Sequence, residues 1–330
     1  MLKVGSFFAG LGGICLAFKN AGFDLLWSNE LDKSACKTYS KNFDHILVED
    51  DICNLKPEDK RLGKVDIITG GFPCQAFSIA GHRKGFEDER GRGKLFFEML
   101  RFIDAYKPKV LFFENVRYLK THDNGETYKT IKVALEKEGR NYHICDKVLD
   151  TCEYSKLPQH RERFYMVCFK SQKHAEEFNK LGWPEKVELK KRISFWQIID
   201  ETADEIHYFS RYPHYYRPAM KEIEKDGDRE AFYQWRRVYC RKNKNSVCPT
   251  LTANMGGGGH NVPLVIDKRD LRRLTPQECL RLQGFDDKTF FFPDNISISA
   301  KYKQIGNAVS VPIVQSIAEN IHKILNNKEI

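Results

Sequence analysis

The first half of the chain alternates short apolar runs with segments of helical periodicity. Apolar runs of strand length fall at residues 3–8, 23–28, 45–48, 65–69, 110–113, 142–149 and 164–169. Amphipathic segments with a period near 3.6 lie between them, at residues 13–21, 33–41, 95–106 and 127–138. Alternation of buried strands with helices is typical of a mostly parallel sheet covered on both faces. The pattern therefore predicts an α/β domain over about residues 1–172.

The regular alternation of predicted strands and helices ends at about residue 173. Clusters of proline, glycine and aromatic residues interrupt the chain at 183–184, 212–218 and 256–259. A helix is predicted to begin at Thr275-Pro276, because threonine can cap a helix and proline suits its first position. These features predict a smaller, loop-rich domain over residues 173–301. A C-terminal helix, within about residues 302–330, is expected to complete the first domain.

Composition narrows the class of protein without identifying it. The chain has 330 residues, 41% hydrophobic and 30% charged, which suits two folded domains rather than a disordered or fibrous chain. The longest apolar stretch, Val4–Phe18, is too short to span a bilayer, so a cytoplasmic protein without a membrane partner is expected. The ten cysteines show no zinc-like spacing, which predicts reduced thiols and no metal. The net charge of +9 is compatible with a polyanionic partner but does not require one.

A glycine-rich loop follows the first predicted strand and precedes a helix. It is Phe8-Ala9-Gly10-Leu11-Gly12-Gly13, and Glu30 ends the second strand twenty residues after Gly10. Glycines allow close approach of a ligand to the backbone, and a carboxylate at that strand end can accept both ribose hydroxyls. The spacing differs from strict Gly-x-Gly-x-x-Gly, so S-adenosylmethionine suits the loop as well as a dinucleotide does. A simple turn remains an equal alternative for the loop taken alone.

Two reactive side chains follow neighbouring predicted strands. Cys74 lies in Gly71-Phe72-Pro73-Cys74-Gln75 after one strand, and Glu114 follows the next. Open α/β sheets bind ligands at the carboxyl ends of their strands, so both side chains are expected to flank one crevice. A thiolate is a strong nucleophile for a soft electrophile. For an isolated cysteine, a structural role in the core would be the better interpretation.

These blocks, taken together, resemble the ordered motifs of the C5 cytosine DNA methyltransferases. The matching segments are Phe7–Gly13, Gly71–Gln75, Glu114-Asn115-Val116, Gln159–Arg163, Arg273–Phe285 and Gly306–Val309, in the family's order. The resemblance implies a Rossmann-like S-adenosylmethionine-dependent methyltransferase domain with a smaller target-recognition domain. It also implies a stand-alone bacterial or phage type of enzyme, acting in the cytosol or nucleoid.

The resemblance assigns chemical roles to particular residues. Cys74 would add to carbon 6 of a cytosine flipped out of the duplex, and Glu114 would donate a hydrogen bond or proton to N3. Glu114 must be protonated to donate, so burial is expected to raise its pKa. Arg161 and Arg163, two apart on a predicted strand, are expected to point together toward the flipped base or its phosphate. Asn115 and Asn307 are expected to hold loops in place.

The resemblance also implies two larger sets of contacts. The residues expected at S-adenosylmethionine are Phe8, Ala9, Gly10, Leu11, Gly12, Gly13, Glu30, Asp51, Ile52, Pro73, Asn307 and Ala308. The residues expected at DNA are Gln75, Ser78, Gln234, Arg236, Arg237, Arg241, Thr250, Gly256, Gly257 and Gly258. Several of the latter belong to residues 233–244, a segment with five basic residues, three aromatic residues and no acid. Basic side chains neutralise phosphates, although a solvated strand would show the same pattern.

Three rival functions stay open at this stage. A tRNA cytosine methyltransferase would use the same cysteine chemistry, but the long basic insert favours duplex DNA. A catalytically silent DNA-binding protein is disfavoured by the presence of both Cys74 and Glu114. A nicotinamide oxidoreductase is disfavoured by the irregular glycine loop. The family resemblance further suggests a monomer and, as a separately acting partner, a cognate restriction endonuclease.

Overall fold

The protein forms two compact units. The computed structural model describes residues 1–73, 94–137, 139–210, 212–236, 239–255 and 263–327. Unit 1 takes in Met1–Leu149, Glu162–Pro184 and Val314–Ile330, and unit 2 takes in Asp150–Arg161 and Glu185–Ile313. The boundary predicted after residue 172 lies at the start of a helix of unit 1, and the chain first enters unit 2 at Asp150.

The secondary structure follows the chain in this order. The strands are β1 (Lys3–Phe7), β2 (Asp24–Glu30), β3 (Ile46–Glu49), β4 (Ile67–Gly70), β5 (Val110–Val116), β6 (His143–Asp150), β7 (Glu162–Phe169), β8 (Tyr233–Arg236), β9 (Tyr239–Lys242), β10 (Pro263–Ile266) and β11 (Leu271–Arg273). The helices are α1 (Gly13–Asn20), α2 (Lys33–Asn42), α3 (Lys94–Tyr106), α4 (Glu126–Glu136), α5 (Thr151–Tyr154), α6 (Gln172–Leu181), α7 (Phe195–Ile198), α8 (Pro213–Asp226), α9 (Pro276–Gln283), α10 (Ile298–Asn307) and α11 (Val311–Asn326). None of the helices in the described ranges combines the length and apolar character that crossing a bilayer requires.

Unit 1 is built on one large sheet. Its strands lie in the order β3-β2-β1-β4-β5-β7-β6. The first five of these pair in parallel, whereas β7 runs antiparallel to β5. Strand β4 and the first six residues of β5 are buried, which explains why both appear as continuous apolar runs. The predicted α/β fold with a mostly parallel sheet is confirmed.

An aromatic core fixes the point at which β1 ends. The Phe7 ring lies 5.0 Å from the Trp27 ring and 4.8 Å from the Phe102 ring, measured between centroids. Gly5 makes room for Trp27, since a Cβ at Gly5 would lie 2.2 Å from the indole. Burial of such side chains contributes about 1.5–3 kcal/mol each. The loop that follows Phe7 therefore starts from a rigid strand end.

Unit 2 contains a small antiparallel sheet and short helices. The strands lie in the order β11-β10-β8-β9. Helix α9 begins as predicted, because Thr275 accepts a hydrogen bond from the Glu278 backbone N–H and Pro276 occupies the first turn. The cluster of proline and aromatic residues at 212–218, one of the features that suggested a loop-rich domain, lies mostly in α8, with Pro213 at its first position. Proline is favoured at that position, and the interior Pro218 is tolerated although it cannot donate a backbone hydrogen bond.

A fully buried ionic cluster holds α9 to the sheet of unit 2. The guanidinium of Arg272 donates to Asp267 at 2.5 Å and to both oxygens of Glu278 at 2.7 and 2.8 Å. Tyr208 adds a hydrogen bond to Asp267 at 2.8 Å. Because all of these charges are paired, removing one partner would leave an uncompensated buried charge. The cluster thus fixes β11 against α9.

His207, beside this cluster, predicts a pH dependence of stability. It is 4% exposed, and burial, with the charges of Arg273 and Arg272, lowers its pKa from 6.5 to about 4. As the pH falls from 6.5 to 4, His207 therefore becomes protonated in the unfolded chain but stays neutral in the folded chain. We expect the unfolding free energy to fall over that window by about 3 kcal/mol. Denaturant titrations at successive pH values measure it.

A matched pair of variants isolates the contribution of His207. In H207Q the loss of stability between pH 6.5 and 4 is expected to shrink. In H214Q, which replaces an exposed histidine of the same unit, the loss is expected to equal that of the wild type. If the free energy of unfolding changes equally with pH in the wild type and in H207Q, another group is responsible for the loss.

Candidate active site

The loop after β1 has a left-handed backbone at three positions. The φ angles are +55° at Phe8, +57° at Gly10 and +99° at Gly12. A Cβ at Gly12 would lie 2.2 Å from the Phe43 ring, so this position requires glycine for space as well as for conformation. Phe8 adopts the same region without being glycine, and such strain is typical of ligand-binding loops.

The carboxylate of Glu30 holds this loop in place. One oxygen accepts from the Gly10 backbone N–H at 2.7 Å. The other accepts from the N–H groups of Leu31 and Asp32, at 2.8 Å each. A carboxylate has about four acceptor positions, so these three bonds leave capacity for a ligand hydroxyl. The predicted partnership of Gly10 and Glu30 thus includes a direct hydrogen bond that spacing alone did not reveal.

The end of β3 lies beside the end of β2. Asn29 joins them by donating its side-chain amide to the carbonyls of Val48 and Asp50, at 3.0 and 2.8 Å. Asp51, a predicted cofactor ligand, is half-buried and accepts from the Cys53 backbone N–H at 2.9 Å. Ile52, predicted with it, is buried in the hydrophobic core of unit 1. A half-buried carboxylate and a buried apolar side chain therefore follow the end of β3.

These residues fit an adenosyl ligand. The space that a Cβ would occupy at Gly10 has no heavy atom within 4 Å, so the backbone there is open to a neighbour. The N-terminus of α1 follows this loop, and its first turn carries no acidic residue to repel a carboxylate. The carboxylate of Glu30 lies at the adjoining strand end, where its remaining acceptor capacity suits a ribose hydroxyl.

Replacing Glu30 by alanine is expected to weaken binding of S-adenosylmethionine at least about tenfold. The variant loses the acceptor for the ligand and the hydrogen bond from the Gly10 backbone N–H that holds the loop, which contributes about 1 kcal/mol. Calorimetric titration of the cofactor measures the change. E49A is the control, because Glu49 pairs with Glu30 in the sheet register and is exposed. Equal affinities for E30A and E49A would contradict this role.

The first residues of the loop that leads to Cys74 are held by a side chain of the neighbouring strand β5. Residues Gly71–Pro73 follow β4, and Asn115 donates its side-chain amide to the Phe72 carbonyl at 2.8 Å. This contact confirms that Asn115 holds a loop. Pro73, a predicted cofactor contact, is half-buried. Cys74, Gln75 and Ser78 lie outside the described residues.

Glu114 lies at the carboxyl end of β5 next to this loop. Its side chain is buried, and a Cβ at Gly71 would lie 3.6 Å from its Oε2. Arg163, on the neighbouring antiparallel strand β7, places its Nε 3.1 Å from the Glu114 Oε1. The pair is diagonal in the register, since Glu114 lies opposite Tyr165. Arg163 therefore orients the carboxyl group of Glu114, and its positive charge favours the ionised form of that group, which opposes the effect of burial.

Arg161 has a different environment from Arg163. Strand β7 begins at Glu162, so the prediction that both arginines lie on one strand is wrong. The Arg161 side chain is buried in unit 2, where it donates to the carbonyls of Leu251, Gly306 and Ala308 at 2.8, 3.1 and 2.5 Å. These three bonds connect segments far apart in the sequence, a use that the motif spacing did not reveal. Burial leaves Arg161 suited to positioning rather than to contact with a base.

Asn307 and Ala308 lie where α10 ends. Asn307 is exposed, whereas Ala308 is buried and its carbonyl accepts from Arg161. Gly306 packs against the chain so closely that a Cβ would lie 2.3 Å from the Ala253 backbone nitrogen. Both predicted cofactor residues belong to unit 2, and their role toward the cofactor stays a prediction.

Unit 2 also holds a polar groove of about 660 Å³. Three of the predicted DNA contacts, Gln234, Arg241 and Thr250, line it. Thr250 donates its hydroxyl to the His160 carbonyl at 2.6 Å. The side chain of Arg236, and residues Arg237, Gly256, Gly257 and Gly258, lie outside the described residues. The predicted contacts that can be located thus share one groove.

One wall of this groove brings together Asp150, Cys152 and His160. Their possible ligand atoms lie within 4.8 Å of one another. Asp150 pairs with His160 and accepts from the Arg161 backbone N–H at 2.8 Å. Burial raises the pKa of the Cys152 thiol to about 12, so this thiol is protonated near neutral pH. Capping and ion pairing account for the cluster.

Sequence comparison places the whole chain in one family. The profile described as C-5 cytosine-specific DNA methylase matches residues 2–323. The Type II methyltransferase M.Bsp6I of Bacillus sp. is 47% identical over 325 residues, covering 98% of this chain and 99% of that protein. The Type II methyltransferase M.HhaI of Haemophilus parahaemolyticus is 36% identical, covering 97% of this chain and 94% of that protein.

Solved structures show the same fold at low sequence identity. The S. pombe Dnmt2 methyltransferase superposes with a TM-score of 0.70 at 18% identity, covering 99% of this chain and 100% of its own. The Entamoeba histolytica methyltransferase EhMeth superposes with a TM-score of 0.73 at 18% identity, covering 99% of both chains. Together with the glycine loop and the Glu114–Arg163 pair, the match over residues 2–323 shows that the chain belongs to the C-5 cytosine-specific DNA methylase family and is a DNA (cytosine-5)-methyltransferase.

Proposed function

We propose that the enzyme methylates carbon 5 of a cytosine flipped out of a specific duplex DNA sequence, through a covalent bond between Cys74 and carbon 6. The observation that carries the proposal is the placement of Glu114 beside the loop to Cys74 and 3.1 Å from Arg163. A cytosine inside a stacked duplex is out of reach of these side chains, so the base must leave the stack before it reacts.

S-adenosylmethionine supplies the methyl group when it is bound. The loop Phe8–Gly13 and the ends of β2 and β3 would hold it, with Glu30 as the acceptor for a ribose hydroxyl and Asp51 as the acceptor for the adenine amino group. Phe8 contributes an aromatic face. Pro73, Asn307 and Ala308 complete the set of contacts assigned from the sequence.

Cys74 and Glu114 together make carbon 5 of the cytosine nucleophilic. The thiolate of Cys74 forms a bond to carbon 6, and the displaced electron pair of the ring is accommodated as Glu114 gives a proton to N3. Carbon 5 then has enamine character. After carbon 5 has taken the methyl group, N3 returns its proton to Glu114. Water accepts the carbon 5 proton as Cys74 leaves as a thiolate, which restores the aromatic ring. Arg163 holds Glu114 in place, and Arg161 positions the adjoining chain segments.

The proposed partner is duplex DNA, contacted by unit 2. The groove lined by Gln234, Arg241 and Thr250 supports this assignment, as do the basic residues Arg236 and Arg237 of the same segment. The relatives carry the name Type II methyltransferase, which supports a place in a restriction-modification system with a separately acting endonuclease. We assign a monomer as the active form.

A duplex containing 5-fluorocytosine tests the covalent step. Fluorine at carbon 5 cannot leave as a cation, so elimination of Cys74 is blocked after methylation and the protein stays attached to DNA. We expect a complex that survives denaturing electrophoresis and requires both S-adenosylmethionine and Cys74. The same assay with tRNA separates the two substrate classes. A wild-type protein that methylates duplex DNA without forming this complex would contradict the proposed route.

A further inference from the structure

The two faces of the β8–β9 hairpin have different surroundings. Trp235 lies opposite Cys240 and Gln234 lies opposite Arg241 in the antiparallel register. Side chains alternate along a strand, so Trp235 and Cys240 share one face, where they join a hydrophobic cluster with Ile223 of α8. Gln234 and Arg241 share the other face and line the polar groove. The hairpin thus has one face in the core and one face for a ligand.

Gln234 restricts the side chain of its cross-strand partner. Gln234 is 5% exposed, and its Oε1 accepts from the Arg241 Nη2 at 3.3 Å. Arg241 itself is exposed. A guanidinium has five N–H donors, so one bond to the amide sets its direction and leaves the others for a ligand. An arginine that only neutralises a phosphate does not need this orientation, whereas recognition of a planar edge does.

We propose that Arg241, oriented by Gln234, reads a guanine of the methylation site through its O6 and N7 atoms. This inference rests on the proposed function and names the specificity residue of unit 2. Strand β9, which carries Arg241, is an edge strand of its four-stranded sheet. In the major groove, a bidentate arginine contact distinguishes guanine from the other bases. Gln234 is a positioning residue in this arrangement, because it acts on the base only through Arg241.

Methylation kinetics with 7-deazaguanine test the contact one atom at a time. Each guanine of the methylated sequence is replaced in turn, which removes N7 and leaves base pairing intact. The wild type is expected to lose about 3- to 10-fold in kcat/KM at one guanine, because one of the two hydrogen bonds is removed. R241A removes both hydrogen bonds, so it is expected to lose about 10- to 100-fold on the natural duplex and nothing further when that guanine is replaced. Q234A is expected to show an intermediate loss, and Q234A/R241A is expected to match R241A.

Lys242 provides the matched control. It is the next residue of β9, it pairs in the register with Tyr233 on the opposite face, and it forms an ion pair with Asp228 at 2.7 Å. K242A therefore removes the same charge from the same strand. It is expected to remain within about threefold of the wild type on every duplex and to keep the 7-deazaguanine penalty. Thermal unfolding and cofactor titration confirm that each variant is folded.

Two outcomes would overturn the assignment. R241A could retain the full penalty at every guanine, in which case another residue reads the base. R241A could also lower affinity for all duplexes alike and reduce the slope of that affinity against salt concentration by the amount expected for one phosphate contact. That result would identify a contact with the DNA backbone instead. Failure of the wild type to methylate any duplex would instead refute the proposed function, and this assignment with it.

Discussion

Replacing Cys74 by alanine or serine is expected to lower methyl transfer to duplex DNA by about 10⁴-fold or more. The reaction depends on a nucleophile that adds to carbon 6, and removal of a covalent nucleophile costs an enzyme most of its rate enhancement. A serine hydroxyl is a poor substitute because it does not ionise near neutral pH. Transfer of a labelled methyl group, with duplex binding measured in parallel, separates a chemical defect from a binding defect.

The control for Cys74 is a second thiol of unit 1. Among the cysteines that the structure describes, Cys53 is the exposed one, and burial with the nearby Asp51 raises its pKa to about 11. C53S is therefore expected to keep its activity, and C74S is expected to keep its affinity for duplex DNA. Unchanged transfer by C74S would remove Cys74 from the mechanism.

Replacing Glu114 by glutamine is expected to lower kcat by about 10²- to 10⁴-fold, the range typical of general acid catalysis. Glutamine can donate a hydrogen bond to N3 but cannot supply a proton, so the variant also distinguishes these two roles. Because the active form carries the proton, the wild-type rate is expected to fall as the pH rises. That alkaline decline is expected to disappear in E114Q. A pH series of single-turnover rates measures both effects.

Glu162 offers a matched control for Glu114. It lies one residue before Arg163 on β7 and pairs with Arg117 at a more exposed position. E162Q is expected to remain within about threefold of the wild type, with its pH profile unchanged. R163K is expected to lie between the wild type and E114Q, because lysine cannot reproduce the directed contact of a guanidinium. An E114Q variant with the wild-type rate and pH profile would rule out proton donation by this residue.

The sequence was sufficient for the architecture of unit 1 because its strands are buried on both faces. A run such as Val110–Phe113 is apolar throughout, and that pattern has few alternatives when helices flank it. The antiparallel insertion of β7 between β5 and β6 was not predictable, because strand direction depends on tertiary packing. Helix α8 was missed for a related reason, since Pro213 and Pro218 are equally typical of a loop.

The candidate site was predictable in its residue types but not in its contacts. Spacing singled out Gly10 and Glu30, whereas the carboxylate that holds the Gly10 backbone in place is visible only in the structure. Motif position likewise grouped Arg161 with Arg163, although one is buried against carbonyls of unit 2 and the other orients Glu114. Side-chain direction at the residue just before a strand depends on what packs there, and the local sequence does not encode this packing.

Base-resolution mapping of 5-methylcytosine tests the central claim most directly. A plasmid is incubated with S-adenosylmethionine and the purified wild type, or with C74A as the matched control. The proposed function predicts 5-methylcytosine in one recurrent duplex sequence with the wild type and none above background with C74A. Methylation that is absent from duplex DNA although the folded protein binds the cofactor, or that persists in C74A, would contradict it.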